Sequence, residues 1–165
     1  MKIISIRING IPSFTPTAKR WWKLTSKIFI IEIDTDEGTF RYVLSKGLCT
    51  DFRSGSSIVD YLVPWCDNIF WLVLWVIHDV NFYGFLSFKR SNEMLKAMFE
   101  YFKLSKNIER LTLAGIKVFG KKSYTDINEW DSMKPKYKSN LPYIHFECNA
   151  KPKLPAYQIL EKEVD

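Results

Sequence analysis

Asp67-Asn68-Ile69-Phe70-Trp71-Leu72-Val73-Leu74-Trp75-Val76-Ile77-His78-Asp79 is the stretch that decides the fold. The apolar residues Ile69 to Ile77 follow a pair suited to cap a helix, since the side chain of Asp67 or Asn68 can accept from its first free backbone N–H groups. A helix apolar on every side belongs in the middle of a core. The run stops at His78 and Asp79, short of the ~20 apolar residues that a bilayer span requires, so no membrane partner is expected.

On the amino-terminal side the apolar period is two. Met1 to Ile8 reads as a first strand closed by an Asn9-Gly10 turn, and Pro12 and Pro16 mark Ile11 to Ala18 as a loop or an irregular edge. Ile28 to Ile33 and Phe40 to Leu44 are β-branched or aromatic runs joined by Asp34-Thr35-Asp36-Glu37-Gly38, a hairpin signal. On the carboxy-terminal side the helical period continues. Ser91 is taken as the N-cap of a second helix with Leu95, Met98, Phe99 and Phe102 on one face, and Ser105 as the cap of a third that passes Ile108, Leu111, Gly115, Val118 and Phe119 to stop at Gly120. A late strand is read at Tyr143 to Cys148. The fold expected is α+β, an antiparallel sheet of amino-terminal strands plus a late strand packed on three helices, forming one domain over 1–150 with a mobile tail over 151–165.

Composition agrees with a folded chain. Of 165 residues, 47% are hydrophobic and 16% aromatic, enough for one core, and the 25% charged residues of both signs argue against disorder. Lys2, Arg7 and Asn9 interrupt the opening apolar run, so no secretory leader is read there and a cytoplasmic location is expected. Cys49, Cys66 and Cys148 lack CxxC spacing and read as reduced core thiols. The net charge of +6 favours acidic partners such as nucleic acid, nucleotides or an acidic protein face.

Two segments fall where the period changes: Gly47-Leu48-Cys49-Thr50-Asp51-Phe52-Arg53-Ser54, and His78-Asp79-Val80-Asn81-Phe82. Asp51 can accept from Ser54 three residues on, which shapes a tight turn. The segments resemble a phage and prophage family of unknown function with the signature G-F-x-T-D-x-A-S-x-P, then H-D-x-L-Y, then a helix opening A-D-x-x-F. Gly47, Thr50, Asp51 and Ser54 match the first motif, His78 and Asp79 the second, and Asn92 with Leu95 falls at the third; the resemblance spans about Lys46 to Gly120. Leu48, Arg53, Ser56, Phe82 and Asn92 depart from it, which counts against catalysis. The resemblance implies a viral accessory protein more than an activity.

From these residues the candidate catalytic set is His78, Asp51 and Asp79, and the candidate binding set adds Thr50, Ser54 and Asn92. Asp51, His78, Asp79 and Asn92 are expected to converge as a general base with its orienters, a ligand site, or a buried network tying sheet to helices. Lys19-Arg20-Trp21-Trp22-Lys23 interleaves charge with stacking surface as single-strand binders do, and equally suits a strand start with tryptophans turned inward and lysine heads kept in water. P-loop, GxGxxG, GxSxG and HExxH motifs are absent, and two histidines with scattered cysteines support no metal or cofactor. The expected function is binding of a host component (a defence complex, nucleic acid or signalling nucleotide) as a non-catalytic inhibitor of the anti-CRISPR kind. The alternatives are a His-Asp hydrolase of a phosphate or other ester, and a virion assembly or lysis component. Sequence does not set the oligomeric state.

Overall fold

The computed structural model describes residues 1–18, 21–51, 68–120, 124 and 138–149. The cap and stripe logic of the central helix holds: α1 spans Ile69–Val80, and the Asn68 side chain accepts from Phe70 N and Trp71 N at 3.0 and 3.2 Å. From Val73 to Val80 every residue is buried, so this helix runs through the core. Its first turn is more exposed at Ile69 and Phe70.

Seven strands are described: β1 (Ile3–Asn9), β2 (Phe14–Ala18), β3 (Trp21–Leu24), β4 (Ile28–Thr35), β5 (Gly38–Ser45), β6 (Cys49–Thr50) and β7 (Ile144–Cys148). They form two sheets, one ordered β1-β4-β5-β7 and one ordered β2-β3-β6, with every pairing antiparallel. The α+β class, the hairpin and the late strand are therefore as expected. The division into two sheets is new, and the proline-bearing segment forms β2, an edge strand whose register with β3 shifts between Pro16 and Ala18.

The β4–β5 hairpin closes with Thr35 opposite Gly38, and the Thr35 hydroxyl donates to Gly38 O at 2.8 Å. Alternation then sends Phe29, Ile31 and Ile33 of β4 and Phe40, Tyr42 and Leu44 of β5 into the core, all fully buried. Burying a side chain of this size stabilises by roughly 1.5–3 kcal/mol. Trp71 stacks on Trp75 at 6.1 Å between ring centroids and meets Phe99 edge-on at 5.8 Å, joining α1 to the next helix.

That helix, α2, spans Phe88–Tyr101 and buries Met94, Leu95, Ala97, Met98 and Phe99. Ser91 is not its cap. Ser87, with extended ψ, accepts from Arg90 N at 3.3 Å, while Ser91 lies one turn inside, buried, and its hydroxyl donates to Ser87 O at 3.1 Å. A serine inside the first turn satisfies its hydroxyl on a carbonyl four residues back, so it mimics a cap in sequence without acting as one. The third helix, α3, spans Lys106–Phe119 with Ser105 as N-cap residue, although its side chain makes no capping bond. The buried hydrophobic residues of strands and helices form one cluster.

Candidate functional site

α1 does not end cleanly at His78-Asp79. It continues to Val80 and widens into a π turn over Asn81–Phe85, where Gly84 takes φ 97°, a conformation that disfavours side chains. The wide turn brings Asn81, Phe82 and Tyr83, all buried, to the junction between helices and sheets. The hydroxyl of Tyr42 donates to Asn81 Oδ1 at 3.0 Å, and burial lifts the pKa of that phenol well above its ordinary value.

β6 enters the same junction from the other side. Gly47 precedes it at φ 116°, and a Cβ there would sit 2.6 Å from the Tyr143 ring, so only glycine fits. β3 flanks one edge of β6, with Trp22 opposite Thr50 and Lys23 opposite Cys49. The other edge is completed by a side chain: Cys49 N donates to Asn140 Oδ1 at 3.0 Å, and Asn140 Nδ2 donates to Cys49 O at 2.9 Å and to Tyr83 Oη at 3.0 Å. Tyr83 in turn donates to Cys49 O at 3.1 Å. Asn140 thus does for Cys49 what a neighbouring strand would do.

Held in this way, Thr50 donates from Oγ1 to Asp79 Oδ2 in a close contact, and Asp79 Oδ1 lies 3.4 Å from His78 Nδ1. Thr50 is fully buried, and His78 and Asp79 are each only 6% exposed. The imidazole packs against the Phe82 ring at 4.3 Å and meets Trp75 edge-on at 6.1 Å. Its Nε2 is buried without a partner among the described residues.

Of the candidate site residues, the structure joins Thr50, Asp79 and His78. Asp51 follows directly after β6 and is half-buried. Asn92 lies on α2, half-buried, and its Oδ1 is buried without a donor among the described residues, so no hydrogen bond accepted by that oxygen ties it to His78. Trp21 and Trp22 are half-buried on β3, Trp22 packs against the core, and Lys23 is exposed. Lys19, Arg20 and Ser54 lie outside the described residues, as do Cys66 and the tail over 151–165; Cys49 and Cys148 are thiols.

Sequence reasoning missed Asn81, Tyr83 and Asn140. Tyr83 sits one position past the motif's aromatic residue and supplies the hydroxyl that Phe82 lacks, which adjacency in sequence could have suggested. Asn140 carries no local signal, because its partner Cys49 is 91 residues away.

A second polar assembly covers the outer face of the four-stranded sheet. Arg7 reaches Glu32 at 3.1 Å and Asp34 at 2.6 Å, while Arg41 reaches Glu32 and Glu147, each at 3.2 Å, and His145 lies 2.8 Å from Glu147. Hydrogen bonds from Ser5 and Thr39, then Arg7, hold the Asp34 carboxyl below its ordinary range, and His145 followed by Arg41 does so for Glu147. An open groove of about 480 Å³ crosses this face, lined by Arg7, Ile8, Asn9, Ile30, Glu32 and Arg41. Both of its guanidinium groups are engaged by carboxylates, and none of the candidate site residues lines it.

Among the described residues no three metal-ligating side chains converge, and no helix is long and apolar enough to cross a membrane. No family model, curated protein or solved structure matches the chain.

Proposed function

We propose that this chain is a phage- or prophage-encoded accessory protein that works in the bacterial cytoplasm by binding a host component, a defence complex, nucleic acid or signalling nucleotide, and that it is a non-catalytic inhibitor. The observation that carries the non-catalytic part is the burial of the His78–Asp79 pair. A general base must reach the proton it removes, within about 2.6–3.2 Å or through one water. With 6% exposure on both residues, Phe82 over the imidazole and Thr50 on the carboxyl group, Asp79 serves as a tie between β6 and α1 and His78 packs beside it. The viral origin rests on the motif resemblance, and the acidic character of the partner on the net charge of +6.

One observation favours the rival His-Asp hydrolase: the buried Nε2 of His78 has no partner among the described residues, as a base awaiting substrate would have none. A screen of generic phosphoesters and carboxylic esters, with and without added divalent metal, separates the two. Turnover that disappears in His78→Gln would establish the hydrolase. Absence of turnover together with a partner retained on affinity purification from the bacterial background supports the binder.

A further inference from the structure

The third helix does not bury the apolar stripe it carries. Its inward face is made by Glu109 and Thr112, which are buried, and by Ile108, Leu113 and Ile116, which pack partly against the core. Leu111, Val118 and Phe119 stay 51, 66 and 67% exposed, and Ala114 is exposed as well. Leu111, Ala114 and Val118 follow one another at three-and-four spacing, the spacing of a helix-pairing seam, on the side turned away from the core. A Cβ at Gly115 would meet nothing within 4 Å, so a partner backbone could approach closely beside Ala114. An exposed apolar row of this kind marks an interaction surface.

Charge decides what fits it. Arg110 and Lys117 lie seven residues apart along one flank of the seam, exposed, and neither forms an ion pair among the described residues. α3 exposes no carboxylate, because Glu109, its one acid, is buried and bound by Lys106 at 2.8 Å. Two copies of this chain pairing through the seam would bring cations against cations without an acid to offset them. A lipid surface favours cations on both flanks of the apolar row, whereas the other flank here carries the exposed Phe119. We infer that the outer face of α3, with the Leu111–Ala114–Val118 seam flanked by Arg110 and Lys117, is a docking surface for an acidic amphipathic helix of a partner protein. The inference rests on the binding reading above and names the class of partner.

The test uses the full chain and two three-heptad helical peptides with leucine at the seam positions, one flanked by glutamate and one by lysine. The glutamate peptide should bind at least tenfold more tightly than the lysine peptide. Its affinity should fall at least tenfold in Leu111→Glu/Val118→Glu, with Leu111→Ala/Val118→Ala as the milder second variant. Arg110→Glu/Lys117→Glu should reverse the preference, and all three variants should keep the wild-type melting temperature because the changed side chains are exposed. Equal binding of both peptides, no effect of the seam variants, seam-dependent binding to phosphatidylglycerol vesicles as strong as to the peptide, or seam-dependent self-association would each overturn the inference. In affinity purification, a partner retained by the Leu111→Glu/Val118→Glu bait rejects this face while binding stands. A wild-type bait that retrieves nothing overturns both.

Discussion

The junction around Asp79 and the outer face of the four-stranded sheet are both rich in polar groups, yet they stand in opposite relation to solvent. At the junction, one carboxylate is held by a hydroxyl and an imidazole, all three buried. On the sheet, Arg7 and Arg41 are shared among Glu32, Asp34 and Glu147, and every member is in contact with water. A buried group that loses its partner keeps its desolvation cost, whereas an exposed one recovers water in exchange. The cluster with fewer bonds is therefore the one on which the fold depends.

The largest effect is expected at Asp79. Asp79→Ala strands the Thr50 hydroxyl and removes the partner of His78 Nδ1, and each buried polar group left unsatisfied costs about 1–3 kcal/mol, to be read by urea denaturation. A loss below about 1 kcal/mol would erase the contrast between the two regions. Tyr42→Phe comes next at about 1 kcal/mol, because it removes the donor to Asn81 Oδ1 in the same buried layer.

Acid should act through the carboxyl groups that the fold holds below their ordinary range. Arg90, then the amino-terminal ammonium, holds the Glu37 carboxyl down at about 2 against an ordinary 4.5. A carboxyl lowered in the fold contributes stability that is fully present above its unfolded value and is lost as pH falls through the folded one. Stability should therefore decline between about pH 4.5 and 2, with Asp34 and Glu147 adding in the same direction, and Glu37→Gln should flatten that limb in a pH series of melting temperatures. A limb unchanged by Glu37→Gln would show that other carboxyls set it. The smallest effect belongs to the sheet face: Glu147→Gln should change stability by less than about 1 kcal/mol and by still less in high salt.

The parts of the fold governed by local period could be read from sequence. Ile69 to Ile77 announced a core helix, Asp34 to Gly38 a hairpin, and Tyr143 to Cys148 a late strand. The cap of α2 could not be distinguished locally, since Ser87 and Ser91 both precede helical periodicity and only the bond to Arg90 N separates them. The site was read in part. Motif spacing pointed to Thr50, His78 and Asp79, and Tyr83 lies one position past the motif's aromatic residue, whereas Asn140 enters through a backbone partner far away in sequence, where no spacing rule operates. In α3 an apolar residue every three or four positions indicates a face without stating which way that face turns, and Leu111 and Val118 turn outward.

On the proposed reading, His78 supports the Asp79 side chain that ties β6 to α1, and it does not touch a substrate. Urea denaturation of His78→Ala, paired with partner capture per folded molecule, tests this. The expected result is a loss of about 1–3 kcal/mol, from the partner left unsatisfied, with capture unchanged. Wild-type stability with capture or ester turnover abolished would contradict it.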